Sequence, residues 1–440
     1  MNLIDKMQTW YHDSRFYCLH QSSKVEILYQ AVFFMAFCCS YTYLVASTTM
    51  IDVSKIQFLA KIGIAGAALA AVWRCGHFIL EKPRNIFIPI LILIIPAVFW
   101  RVRGDGYFLL VSFYMLAAWN IPFRRIGITA ILLQLLVLAY AAYASTHGMI
   151  PNLTRNIDLF YSGDKIYTIY LYGTKHSTDM AAYFFWMMAI YLWIRDRKIT
   201  WPELVLWGIF IPFLYRHTGA FTNFLGQSLL LIIAVIYKVY GQWSFFKSRK
   251  FPKLQKENEI MPERNNKWKR VFIQLIAVLL IFSFIIAAAV MIYLSWHYDG
   301  NDPFYIKLDA MLHTRLSLGK KGFIEHPVHW IAENYTMVGT GGYAEGTALA
   351  NYNFLDSSYL YLLLHEGMLP FIWFLAVMTW NQWKQWRNKY IFGMLLLLAA
   401  AAVCMEEHHI KDLGFNVFLL LPLTCKLEKS DRQKSERERL

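Results

Sequence analysis

Charge is scarce in this chain. Only 16% of its 440 residues are Asp, Glu, Lys or Arg, against about a quarter in an ordinary soluble domain. Cysteine is scarce too. Cys18, Cys38, Cys39, Cys75, Cys404 and Cys425 lie in or beside apolar runs or on the side read below as cytosolic, and the two long polar loops have none. That excludes a disulfide-stapled external domain. The first 26 residues lack the short apolar core and small-residue cleavage site of a signal peptide, so the first helix is expected to stay as an anchor. No internal repeat is visible, which counts against inverted-repeat transporter folds.

Apolar surface is what the chain has in plenty. Hydrophobic residues make up 57% of it, and many runs approach or exceed the ~18–20 residues that cross a bilayer as a helix. The expectation is an all-α polytopic membrane protein with about 12 spans. They fall near 27–48, 56–80, 86–101, 106–121, 126–145, 179–195, 201–216, 219–240, 271–296, 358–381, 389–405 and 412–425. The chain then divides into a cytosolic segment 1–26, eight spans over 27–240, a basic linker 241–270, four spans over 271–425, and a basic tail 426–440.

Half of the net charge of +14 resides in Ser248 to Arg270 and in the tail "KLEKSDRQKSERERL". Short basic loops mark the cytosolic side. With both termini inside, every clearly basic loop but one falls on that side, the exception being "RVRGDG" with Arg101 and Arg103. No nucleic-acid-binding module accompanies the charge, so no nucleic acid is expected as a partner. The expected location is the cell membrane, multi-pass.

Two outer loops are long, about 146–178 and 297–357. The second carries four Lys/Arg against seven Asp/Glu and is expected to form a small helical external domain. Asp302 can cap its first helix and Pro303 suits the first turn. Leu308, Leu312 and Arg315 would share a face, "GKKG" would end the helix, and a second would run through "FIEHPVHWIAEN".

Motif order then becomes informative. Arg315 is followed by Gly339-x-Gly341 with Gly342, and then by "LDSSYLYLLLHEG". This order resembles the bacterial Wzy-type polysaccharide polymerases and the related O-antigen ligases. In those families an arginine opens the large outer loop, a Gly-x-Gly follows, and an Asp-Asn or His-Asn pair precedes a Tyr-Leu helix that reaches a glycine. Asp356 matches the acidic position, Tyr359 and Leu360 the Tyr-Leu, and Gly367 the glycine, while Ser357 replaces the Asn. "YGTKHSTDMAAYFF" is similar to the His-Pro-Asn motif, with His176 matching and Ser177 and Thr178 departing. "RHTGAFTNFLG" is similar to the Thr-x-Ser-Arg segment, with Arg216 the nearest basic residue, and "EEHHIKDLGFN" to the acidic loop before the last helix. The resemblance spans roughly 170–425.

The resemblance implies a GT-C-like fold and polymerisation of undecaprenyl-diphosphate-linked oligosaccharide repeats at the outer face of the membrane. It also implies a flippase and a chain-length regulator as partners. Arginine forks suit a diphosphate, so Arg315 and Arg216 are the expected diphosphate ligands. The attacking hydroxyl needs a base. The candidates are Asp356, His176, His365 and the "EEHH" run Glu406, Glu407, His408 and His409. Asp356 and His176 stand first by motif position, with Glu406 next, while His365 within a Tyr/Leu helix reads rather as a packed, hydrogen-bonded histidine. Gly339, Gly341, Gly342 and Tyr359 would form the substrate loop. Trp296, Tyr298, Tyr305 and Tyr343 could stack on sugars. "EHPVH" (Glu325, His326, His329) lacks the spacing of a His-Glu-x-x-His helix, so no metal and no other cofactor is expected. The alternatives are a ligase of the same superfamily and a flippase. Dolichol-phosphate-sugar-type transferases show an acidic pair in the first outer loop, where "STTMIDVSK" offers only Asp52.

Overall fold

The computed structural model describes residues 23–158, 166–250, 263–332, 335–339, 341–342 and 352–425. The N-terminal segment before Ser23, much of the basic linker, Tyr343 and the basic tail lie outside the described residues. The chain is built almost wholly of helices: α1 Ser23–Ser47, α2 Gln57–Glu81, α3 Phe87–Arg103, α4 Tyr107–Ala117 and α5 Phe123–Thr146, then, after a β-hairpin, α6 Ser177–Arg195, α7 Trp201–Thr218 and α8 Phe221–Lys250. The second half holds α9 Glu263–Ile281, α10 Ser283–Trp296, α11 Pro303–Met311, α12 Arg315–Glu325, α13 Met368–Arg387 and α14 Ile391–Val403.

Helix packing follows from small and aromatic residues. α1 lies along α2, where a Cβ at Gly63 would sit 1.9 Å from Ser40 Oγ. Close approach of this kind is how apolar helices gain van der Waals contact in lipid. Phe33, Phe37 and Tyr41 recur every fourth residue on α1, and all three are fully buried. Leu69, Val72, Leu91 and Ile232 point outward and are more than half exposed, as lipid-facing side chains would be. α6 is buried around its whole circumference, with Met180, Tyr183, Trp186, Met187 and Ile190 all inside. It is therefore the central helix, and its N-terminus carries His176.

Five helices among the described residues are long and apolar enough to cross a membrane: Lys24–Ser47, Val53–Glu81, Pro83–Arg103, Phe123–Thr146 and Phe221–Tyr240. The pair Val271–Ile281 and Ser283–Trp296 would add a sixth, bent by 63°. This supports an all-α membrane protein of multiple passes. Helices occur near eleven of the twelve expected positions, but α4 and α14 have only 11 and 13 residues. The expected span at 358–381 is interrupted, with a short turn at Ser358–Leu360, a π-helix at Tyr361–Glu366, and α13 only after Gly367. Gly367 has φ +107°, and a Cβ there would lie 2.6 Å from Ala332 N, so only glycine fits this break.

The twelfth span is a correction. Residues 412–425 form no α-helix, only a 3₁₀ turn at Val417–Leu420. Gly414 and Pro422 disfavour a helix, and side chains satisfy the backbone from elsewhere. Gln134 Nε2 donates to Gly414 O (2.9 Å), Asn381 Nδ2 to Phe418 O (2.9 Å), and Lys384 Nζ to Leu421 O (2.8 Å) and Pro422 O (2.9 Å). Irregular backbone inside an apolar bundle requires such partners.

The outer loop is also arranged differently from expectation. Asp302 does cap α11, accepting from Phe304 N at 2.8 Å. The helix stops at Met311, and His313 (φ +48°) and Thr314 (φ +66°) break the chain before α12. Arg315 therefore opens the second helix and does not share a face with Leu308 and Leu312. Asp309 Oδ1 accepts from Leu316 N (2.8 Å) and Ser317 N (3.1 Å), capping α12 across the break. "GKKG" sits inside α12 and ends nothing. A Cβ at Gly319 would lie 2.6 Å from Ser295 Oγ and from Leu360 Cδ1, so these glycines serve close packing. "FIEHPVHWIAEN" is helical only to Glu325, and Pro327 follows at once.

The first outer loop holds a two-stranded antiparallel hairpin, Thr154–Asp158 with Ile166–Tyr170, in which Asn156 is opposite Thr168. Neither strand alternates cleanly between apolar and polar residues.

The expected orientation makes a direct prediction. With other reactive cysteines removed, Met149→Cys should react with an impermeant thiol reagent added to intact cells, and Lys198→Cys should not. Labelling at 198 alone would invert the topology, and labelling at both would break the assignment of faces.

Candidate active site

α6 begins with a reciprocal cap. His176 Nδ1 accepts from Thr178 N at 3.3 Å, and Asp179 Oδ2 accepts from His176 N at 3.2 Å. This fixes a tautomer with the proton on Nε2. Burial, reinforced by the charges of Arg155 and Arg315, pushes the imidazole down to about 4. His176 is thus neutral at physiological pH.

Five chain segments meet over this cap and enclose a cavity of about 400 Å³. Thr48 closes α1, and Lys175 to Asp179 begin α6. Arg315 opens α12, Gly339 to Asp356 bring the glycine loop, and Glu407 to Asp412 follow α14. Gly342 has φ +78° and donates its N–H to Lys175 O at 2.8 Å, tying the glycine loop to the start of α6. A Cβ at Gly339 would lie 3.0 Å from Phe354, whereas no described residue lies within 4 Å of one at Gly341.

Arg315 and Asp356 are each other's partners, with Nη1 3.0 Å from Oδ2. The guanidinium also donates to His313 O at 2.9 Å and to Glu406 O at 3.4 Å. Burial pushes the Asp356 carboxyl up, and the adjacent Arg315 pulls it back only in part. About a fifth of each side chain remains exposed, toward the cavity.

The "EEHH" run divides its side chains. Glu406 turns away from the cavity: Thr222 Oγ1 donates to its Oε2 at 2.7 Å, and His313 Nδ1 lies 3.5 Å off. Glu407 faces the cavity and accepts from Asn223 Nδ2 at 2.9 Å. Burial pushes its carboxyl up, with Asp356, Glu406 and Asp179 adding repulsion. Burial pushes His408 down to about 3. His409 Nε2 lies 3.6 Å from Asp179 Oδ1 and 3.7 Å from Glu407 Oε2. Asp179, His408 and His409 have donor atoms within 4.8 Å of one another, a spacing that could hold a metal ion. Glu325, His326 and His329 form no such group among the described residues, and His326 instead stacks on Tyr335 at 3.5 Å.

His176, Arg315, Asp356, Gly339 and Gly341 therefore converge, and Gly342 supports the same loop. Three other expected site residues do not line the cavity. Arg216 is exposed and stacks over the Tyr167 ring at 4.2 Å, in the hairpin. Tyr359 is fully buried and donates to Ala401 O at 2.8 Å, a core contact. Glu406 is displaced by its neighbour Glu407. Trp296, Tyr298 and Tyr305 pack beside the outer-loop helices, away from the cavity. Lys175, Asp179 and Asp412 were missed. The i, i+3 relation of His176 and Asp179 is a capping pattern legible in "KHSTD", and it would have led to Asp179.

A second ionic group lies beside this cavity. Glu366, at the end of the π-helix, is 1% exposed and pairs with Arg103 of α3 (3.3 Å) and with Lys411. Arg103, one of the two arginines in the exception to the charge rule, is thus neutralised internally. His365 joins the group, packed 4.7 Å from Tyr361. No protein-family model, curated protein sequence or solved structure matches the chain.

Proposed function

We propose that this chain is a GT-C-like, multi-pass membrane glycosyltransferase that polymerises undecaprenyl-diphosphate-linked oligosaccharide repeats at the outer face of the cell membrane. One observation carries the reading. His176, Gly339, Gly341, Arg315 and Asp356 were singled out by motif order alone, and they line one cavity although up to 180 positions separate them in the sequence.

The chemistry follows from the cavity's polarity. Arg315 and Lys175 present cations, and the leaving diphosphate needs charge stabilisation without a proton. The acceptor hydroxyl attacks the anomeric carbon, the bond from that carbon to the phosphate oxygen breaks, and undecaprenyl diphosphate leaves with the electron pair. The hydroxyl proton passes to Asp356. Asp356 is held by Arg315 at 3.0 Å. A diphosphate oxygen competing for the guanidinium frees the carboxylate, so donor binding makes the base available. His176, pushed down to about 4, is a weak base and serves better as a neutral Nε2–H donor.

The deciding experiment is the glycan profile of a deletion strain. Single repeats left on lipid support polymerisation. Long chains stranded on lipid would point to the ligase, and repeats trapped on the cytosolic leaflet to a flippase.

With two cations facing the cavity, the proposed reaction is metal-independent. EDTA should leave polymer synthesis in isolated membranes unchanged. Activity lost in EDTA and restored by one divalent ion would overturn this and assign Asp179, His408 and His409 as ligands.

A further inference from the structure

A second cavity, of about 270 Å³, lies at the other end of α6. His176 caps the N-terminus of that helix at the candidate active site, while Trp193 and Arg195 near its C-terminus line the second cavity. Nineteen residues separate the two ends, roughly 28 Å at ~1.5 Å per residue, close to one hydrocarbon thickness. The two cavities therefore face opposite sides of the membrane, and the second is cytosolic in the expected orientation.

The chemistry of the second cavity is one-sided. Arg124, Arg195, Arg197, Lys198 and Lys384 line it, against a single carboxylate, Asp196. Three of these charges are already engaged. Arg195 pairs with Glu203 at 2.7 Å, and Lys384 donates to the carbonyls of Leu421 and Pro422. Arg197 is held by Tyr237, which also donates to Asp196 at 3.0 Å. Arg124 and Lys198 are exposed and have no side-chain partner among the described residues. Arg195 Nε is buried with no acceptor among the described residues, and a buried donor without a partner is costly. The rest of the wall is mixed: Phe123, Trp193 and Leu421 are apolar, and Gln385, Asn388 and Thr424 are polar.

We propose that this cavity binds a phosphate group, and that the phosphate belongs to an anionic phospholipid headgroup of the leaflet facing it. Unpaired cations are donors to phosphate oxygens, the neutral polar side chains Gln385, Asn388 and Thr424 can add hydrogen bonds, and Phe123, Trp193 and Leu421 offer apolar surface to the glycerol and first methylenes of a lipid. Arg124 opens α5, while Lys198 belongs to the turn after α6. A bound headgroup thus ties the first half of the bundle to its central helix, at the face opposite the chemistry.

The test is binding, so its failure is separate from failure of the transferase reading. The full chain is purified in detergent, and its thermal stability and native mass spectrum are recorded with phosphatidylglycerol, with phosphatidylcholine, or with inorganic phosphate. Phosphatidylglycerol should stabilise the protein and remain bound, and phosphatidylcholine should do neither. Arg124→Gln combined with Lys198→Gln, both at exposed positions, should weaken retention about tenfold or more. Stabilisation by inorganic phosphate without phosphatidylglycerol, lost in the double variant, would keep the phosphate site but make its source soluble. Equal effects of the two lipids overturn the proposal, as does retention that survives the double substitution or no binding of either anion.

Discussion

Arg315→Ala should abolish polymer formation in isolated membranes while the protein inserts at its normal level. Removing one preorganised charge donor from a developing anion typically costs about 10²–10³ in turnover. Here the loss should be at least that large, because the same side chain also fixes the site. It reaches Asp356, His313 O and Glu406 O at once, joining the glycine-loop segment, the break before α12 and the loop after α14. Lysine keeps the charge but has no planar fork to hold three such partners, so Arg315→Lys should be badly impaired. Lys320 and Lys321 are the internal controls. Both are partly exposed: Lys320 donates to Trp296 O and lies over that ring, and Lys321 donates to Tyr352 O and makes an exposed pair with Glu325 at 3.8 Å. Alanine at either should change activity little. If 315 tolerates alanine as well as 320 and 321 do, Arg315 is only a structural or headgroup contact and the proposed mechanism loses its cation.

Asp356→Asn should reduce turnover by roughly 10²–10⁴-fold, the usual contribution of a positioned base. The amide keeps the size of the side chain and still accepts from Arg315, so the fold should survive. The wild-type pH profile supplies a second readout. Burial raises the Asp356 carboxyl above its ordinary range despite Arg315. A base must be unprotonated, so activity should fall as pH drops through that raised value, and the acid limb should vanish in Asp356→Asn. Near-normal chain synthesis by the variant would transfer the role to Glu407, whose carboxyl burial also raises.

Much of the bundle was legible because helices in lipid announce themselves by length and apolarity. The segment 412–425 was not, since it is as apolar as a span, and only the distant Gln134, Asn381 and Lys384 reveal that its carbonyls are satisfied from outside. Gly319 and Gly322 read locally as a helix stop, and their actual reason, the passage of Ser295, Leu355 and Leu360, is invisible in sequence. Motif order located Arg315, His176, Asp356 and the Gly339–Gly341 loop. It misled at Tyr359, where an aromatic next to a motif is core, and at Arg216, where a helix-end arginine stacks on a hairpin tyrosine. Between Glu406 and Glu407 no sequence rule decides. The turn after Val403 sends one toward Thr222 and the other into the cavity.

The Arg103–Glu366–Lys411 group has a consequence for how the protein is made. Arg103 leaves the ribosome more than 260 residues before Glu366, so through most of synthesis α3 ends in an arginine whose carboxylate does not yet exist. An arginine at a membrane helix end is tolerated only by reaching for water or headgroups. Until the π-helix is made, Arg103 lacks this partner and depends on water or headgroups for its charge. A chain truncated before Glu366 would keep that arginine unmatched, a ready mark for the proteases that clear incomplete membrane proteins.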